Sequence, residues 1–205
     1  MMLRRATADD AAAVAAIYAP YVRDTAISFE IDPPDGAEMR RRIAAVGETY
    51  PWLIAHPASG DPVGYAYASR HRDRAAYRWS VDVTVYVHRD AHRRGTGRAL
   101  YQALLPVVAA QGYRNAYAGI TLPNAASVGV HEAMGFTPVG VYRRVGWKLG
   151  AWHDVGWWAL ELGSGAGDPD EPRPIGDVID GAAWRAALDA AQSARHAGQK
   201  RASPG

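Results

Sequence analysis

Two arginines, a glycine pair and a third arginine stand together in the middle of this 205-residue chain: Arg93-Arg94-Gly95-Thr96-Gly97-Arg98. An alternating apolar stretch (Val81, Val83, Val85, Val87) runs into them, and Leu100, Ala103, Leu104, Val107 and Val108 follow at helical spacing. Glycines let a backbone turn tightly and bring its N–H groups close to a ligand. A helix N-terminus adds unpaired N–H groups and partial positive charge, and the arginines add full charge. Strand, basic glycine turn and helix together predict a pyrophosphate cradle. It is neither a P-loop, since Arg98-Ala99 follows Gly97, nor a Rossmann turn, since Leu100 stands where a third small residue is needed.

The bulk composition narrows the ligand classes. Hydrophobic residues make up 48% and charged residues 21%, ordinary for a globular domain, and the net charge is +2. A balance so near zero implies no broad attraction to nucleic acid or membrane. The basic residues cluster at 70–78 and 89–98, which suits a small anion. No cysteine is present, which excludes disulfides, thiolate metal sites and a cysteine nucleophile. No apolar run is long enough to span a bilayer and no signal-peptide pattern is visible, so the expected location is cytoplasmic. His153-Asp154 has no second histidine at ligand spacing, and no metal is expected.

The elements that must position the turn read in order. Leu3–Arg5 is a short strand. Thr7-Ala8-Asp9-Asp10 caps a helix that Pro20 should end. Asp35 caps a second helix. Residues 52–55 and 63–69 form a hairpin, and Trp79–Val87 is the strongest strand. The helix after the glycine turn runs to about Ala110 and ends at Gly112. Arg114–Ile120 is a strand. Asn124 caps a helix through Met134. Residues 136–148 and 155–162 are the last strands, joined by a turn around Gly150–Asp154. The order β-α-α-β-β-β-α-β-α-β-β is mixed α/β (α+β). Residues 1–162 form the domain. Residues 163–205 read as a breaker-rich flexible linker, a helix over 177–196 that could dock, join an oligomer contact or do nothing, and a frayed polar end.

With this order, four segments resemble the phosphinothricin / methionine sulfone N-acetyltransferase subgroup of the GNAT acetyltransferases. They are Tyr50–Ala55; Ala76–Val87; Leu122-Pro123-Asn124 with His131–Phe136; and Trp152–Trp158. The glycine turn resembles the acyl-CoA loop of the whole family, with His92 where that loop opens on arginine or glutamine. The resemblance covers residues 3–162. It implies a twisted mixed sheet whose central strands splay, with acetyl-CoA as co-substrate in the cleft. Val85, Tyr86 and Val87 would pair with the pantetheine, residues Arg93, Arg94, Gly95, Thr96, Gly97 and Arg98 would cradle the pyrophosphate, and Asn124 would lie opposite.

The resemblance also implies a reaction: direct acetyl transfer to the amino group of a small amino acid or analogue. Asp82 is the candidate base, directly or through water. Relatives carry glutamate there, one methylene longer. His131 is the candidate proton donor or acceptor at the sulfur, since an imidazole titrates near neutrality. Arg74 and Tyr77 are candidates for holding the substrate carboxylate, since arginine offers a bidentate fork, and Arg74 is favoured over Arg70 and Arg72 because it matches a family arginine in register. Phe29 would wall the pocket, and Glu30 reverses the charge of a family arginine. A homodimer is implied. The rival readings are a different amine (polyamine, aminoglycoside or peptide N-terminus) and a non-catalytic acyl-CoA-binding module.

Overall fold

The computed structural model describes residues 1–163, 167–179 and 181–201, with side chains through 191. Seven strands form one sheet: β1 (Met2–Arg5), β2 (Trp52–His56), β3 (Gly64–Arg70), β4 (Ser80–Val87), β5 (Asn115–Leu122), β6 (Thr137–Lys148) and β7 (Ala151–Glu161), in the order β1-β2-β3-β4-β5-β7-β6. All pairs are antiparallel except β4 with β5. Helices α1 (Ala11–Asp24) and α2 (Gly36–Gly47) cover one face. Helices α3 (Thr96–Ala110) and α4 (Ala125–Ala133) follow β4 and β5, and α5 (Ala182–Arg201) closes the chain. The expected mixed α/β class and element order are observed.

Strand alternation divides the core. Val81, Val83 and Val85 of β4 face the cluster built on Leu100, Leu104, Val107 and Val108 of α3. Tyr86 turns to the other face, against Tyr18 and Tyr21 of α1, with ring centroids 4.8 and 5.0 Å away. Asp82 and Thr84, in phase with Tyr86, share that face.

Three expectations need correction. Pro20 does not end α1, which continues to Asp24. Proline deletes one N–H but leaves the later turns intact, and buried Val22 together with the Thr25 hydroxyl donating to the Tyr21 carbonyl holds the last turn. The turn expected over Gly150–Asp154 is only Leu149-Gly150, both with positive φ (51° and 76°). That pair suits a two-residue hairpin, and Trp152, His153 and Asp154 are in β7, paired with Trp147, Gly146 and Leu122 respectively. The final helix begins at Ala182 rather than 177, after a 3-10 turn over Ile175–Asp177.

The segment beyond residue 162 docks on the body. Ile175, Val178, Trp184, Ala187 and Ala191 are buried in the α3 cluster. Arg78 pairs with Glu171, and the Gln111 amide donates to the Thr49 and Arg173 carbonyls. The middle of the expected linker, 164–166, and the expected frayed end, 202–205, lie outside the described residues.

Candidate active site

The parallel pairing of β4 and β5 spans three residue pairs, Ser80 with Asn115 through Asp82 with Tyr117. Beyond them the strands part, leaving β4 from Val83 onward without a β5 neighbour. The opening is a cavity of about 90 Å³. Val83–Tyr86 line one side and Ala118–Thr121 the other, with Tyr101, Asn124 and His131 closing it from α3 and α4. The expected splay is therefore present. The wedge exists because α4 and the β6–β7 hairpin hold β5 on its far side, where β7 pairs with all eight of its residues.

The loop at the end of β4 is built for close approach. Gly95 caps α3 at φ +75°, a left-handed conformation that glycine adopts without strain. Arg93 is also left-handed, at φ +58°. Arg93, Arg94 and Arg98 are exposed at the mouth of the helix. The Thr96 hydroxyl is buried there with no partner among the described residues, and Gly97 lies against Val85 and Val87. His92 is exposed and folds back on the end of β4: its Nε2 lies 3.0 Å from the Val87 carbonyl and 2.8 Å from the Tyr21 hydroxyl, which itself donates to that carbonyl at 2.5 Å. The Val87 oxygen is thus occupied by the protein, and the free β4 edge is carried by Val83 to Tyr86.

Asn124 caps α4, its side-chain oxygen accepting from the Ser127 N–H at 3.1 Å. One turn later His131 is 3% exposed. Its Nδ1 lies 2.7 Å from the Ser127 carbonyl, which can only accept, so Nδ1 carries the proton. Nε2 then accepts from the Tyr101 hydroxyl at 2.9 Å. Burial lowers the His131 pKa, against a smaller opposing effect of the Ser127 bond, so the ring is neutral. Burial likewise pushes the Tyr101 phenol up.

Asp82 approaches the opening from the opposite face. Its Oδ1 lies 2.7 Å from Nδ1 of His71, whose ring stacks on Tyr117 at 4.4 Å and 18°. Burial raises the Asp82 pKa, while the His71 hydrogen bond and then the charges of His71 and Arg72 pull it back. Tyr77 stands edge-on to His71 at 5.8 Å. Arg72 lies over the Trp157 ring at 5.5 Å. Arg74, favoured from the sequence, lines a second cavity together with Arg70, Arg72, Tyr77 and Arg78; of these arginines, Arg72 is the one whose charge also acts on Asp82. Phe29 lies over Gly146, whose absent side chain makes room for it, and Ile27 is the residue of that loop that lines the opening. Glu30 is turned onto Arg42 at 2.7 Å and the Tyr18 hydroxyl at 2.9 Å, so its charge is already neutralised within the loop.

His71, Tyr101, Arg72 and Trp157 were not singled out as site residues from the sequence. One signal was there for His71. In the β3–β4 hairpin Ser69 pairs with Asp82, which puts residue 71 diagonal to Asp82 on the same face. Tyr101 offered none, because it meets His131 only through the packing of α3 on α4. Among the described residues no cluster of three or more histidine and acidic side chains could hold a metal ion.

Comparison with known proteins agrees with this geometry. Residues 3–157 match the family model described as an acetyltransferase (GNAT) domain. The chain is 40% identical over 176 residues to a phosphinothricin N-acetyltransferase of Streptomyces viridochromogenes, covering 86% of this chain and 93% of that one. It is 34% identical over 173 residues to an L-methionine sulfoximine/L-methionine sulfone acetyltransferase of Pseudomonas aeruginosa, covering 84% and 98%. A GNAT superfamily phosphinothricin acetyltransferase from Sinorhizobium meliloti, solved in complex with AcCoA, superposes with a TM-score of 0.79 at 35% identity, covering 83% of this chain and 93% of that one. With a split central sheet, a basic glycine turn at its mouth and these relatives across most of its length, the chain belongs to the GNAT family and is an N-acetyltransferase.

Proposed function

We propose that the chain acetylates the α-amino group of a small, carboxylate-bearing amino acid or analogue, of the phosphinothricin, methionine sulfone or methionine sulfoximine type, with acetyl-CoA as donor. The observation that carries this reading is Arg72 laid over Trp157 beside Asp82, on the face opposite the cofactor turn. A guanidinium there offers a fork for a carboxylate and repels a polycation, which disfavours polyamines and aminoglycosides. The names of the relatives point to the same substrate class.

The residues present fit acetyl-CoA. The free edge of β4 from Val83 to Tyr86 is open to an extended chain such as pantetheine. Arg93, Arg94, Arg98 and the N–H groups at Gly95–Gly97 form an anion cradle, and the orphaned Thr96 hydroxyl lies at that turn. Bound there, the co-substrate supplies an activated acetyl group. On the acceptor face Asp82 is the carboxylate beside which the incoming ammonium sheds a proton. On the α3–α4 face the hydrogen-bonded Tyr101–His131 pair holds the proton the departing sulfur needs. Alignment of two reactants across one opening contributes much of the rest. No metal takes part in this scheme. Residues 1–162 carry the chemistry, and the docked 167–191 segment buttresses α3. A homodimer fits the outer face of the β6–β7 hairpin, where Val139, Val145, Trp147, Leu149 and Trp152 are exposed.

The test is thiol release from acetyl-CoA across methionine sulfone, methionine sulfoximine, phosphinothricin, spermidine and an aminoglycoside. Turnover is expected on the first three. Arg72→Ala should raise KM for the amine about tenfold or more, the loss of a charged hydrogen bond, with Arg74→Ala run beside it. Turnover confined to the polycations would refute the reading.

A further inference from the structure

Asp82 alone is poorly placed to reach a substrate. It is one methylene shorter than the glutamate that the family resemblance implies at this position, and its Oδ1 is already bound to Nδ1 of His71 at 2.7 Å, the two side chains being 28% and 11% exposed respectively. His71 is the group that extends it. Its ring is fixed flat on Tyr117 at 4.4 Å and 18°, with Tyr77 and Trp157 edge-on at 5.8 and 6.2 Å. An ionised carboxylate at Nδ1 can only accept, so Nδ1 carries the ring proton. Nε2, on the far side of the ring, is left with a free lone pair and has no partner among the described residues.

We infer that His71, oriented by Asp82, is the group that takes the proton from the substrate ammonium. The inference rests on the acceptor being an amine bound on this face, as proposed above. One N–H bond of the ammonium breaks and its proton passes to Nε2, and the freed lone pair attacks the thioester carbon. As the C–N bond forms the C–S bond breaks, the sulfur leaves as thiol with a proton from the Tyr101–His131 pair, and the second amine proton restores that pair. The imidazolium, held by the Asp82 carboxylate at Nδ1, returns its proton to solvent. The arrangement accounts for an aspartate here: aspartate plus imidazole spans a gap that a longer carboxylate spans by itself. The charged and titratable groups around the ring are Asp82 from β4, Tyr117 from β5, and Tyr77 and Arg72 from the segment between β3 and β4. Burial raises the Asp82 pKa and its hydrogen bond to His71 opposes this.

The experiment is His71→Gln, assayed on whichever amine the wild type turns over best, so that a wrong substrate class does not confound the result. Glutamine keeps an N–H for Asp82 and cannot titrate. The expected result is a loss of kcat/KM for the amine of about 100-fold or more, the usual scale of a proton-transfer group. Affinity for acetyl-CoA should stay within twofold, and the near-neutral acid limb of the kcat/KM profile should disappear. Adding Asp82→Glu to His71→Gln should restore at least tenfold. A His71→Gln rate within threefold of wild type, with its acid limb unmoved, would overturn the inference and leave Asp82 as the sole base. Should the variant fold poorly, nitrogen-15 NMR of the wild-type imidazole decides: an Nδ1–H tautomer lost in Asp82→Asn supports the pair, and an Nε2–H tautomer overturns it.

Discussion

Replacing Lys148 with methionine should detach the acceptor-side loop from the sheet. Lys148 ends β6 and is 5% exposed. Its ammonium donates all three protons to backbone carbonyls: Val22 at 2.6 Å, Ser28 at 2.6 Å and Glu30 at 2.7 Å. One side chain thereby ties the last turn of α1 and the loop carrying Ile27 and Phe29 to the β6–β7 hairpin. Hydrogen bonds to a charged group contribute about 1.5–3 kcal/mol each, so the gross loss is about 4.5–9 kcal/mol. Burying an ammonium costs several kcal/mol in return, and burial does lower the Lys148 pKa, so the net destabilisation is about 3–5 kcal/mol. For a chain of this size that is a fall in Tm of about 6–20 °C. Methionine keeps the apolar stem, so the change isolates the ammonium. Urea denaturation reads the stability, and steady-state kinetics read the site. KM for the amine should rise several-fold, while KM for acetyl-CoA stays within twofold because the glycine turn and the β4 edge do not touch Lys148. A destabilisation below 1 kcal/mol, or an equal rise in both KM values, would refute the reasoning.

Two further outcomes follow from burial. Trp184 of α5 is 5% exposed against α3, so Trp184→Ala should cost about 3–5 kcal/mol by denaturant unfolding; kcat at 25 °C should stay within twofold, since Trp184 does not line the opening. His131 is buried neutral with a lowered pKa, so the unfolded chain binds a proton that the folded chain does not. Its contribution is fully present above the unfolded value near 6.5 and is lost as pH falls from there toward the lower folded value, with a slope of at most about 1.4 kcal/mol per pH unit. Denaturation midpoints from pH 7 to pH 5 should fall more steeply for wild type than for His131→Gln, and parallel curves would refute the assignment.

The sequence by itself determined the elements and the basic glycine turn between β4 and α3. Alternating valines, capped helices and Arg93–Arg98 are local patterns, and a strand, a glycine turn and a helix N-terminus lie where their own residues dictate. The resemblance placed Asp82 and His131 near the opening because one follows the strand and the other the Asn124 cap by fixed counts. What only the tertiary structure decided is what those two residues touch. The Tyr101 bond that fixes the His131 tautomer joins α3 to α4 across the tertiary fold. The His71 bond comes from hairpin register and from stacking on Tyr117, a residue of a different strand. That Arg72 rather than Arg74 lies over Trp157 is set by the path of an irregular segment and not by its spacing. The three carbonyls gathered by Lys148 lie 118 to 126 residues away along the chain. The segment after residue 162 reads as a linker and a helix with three possible uses, and the tertiary structure decides among them by burying residues 175, 178, 184, 187 and 191 against α3. Local sequence sets backbone conformation through short-range sterics and hydrogen bonds. Proton positions and ligand-facing side chains depend on burial and on neighbours distant in sequence, and these exist only once the sheet has closed.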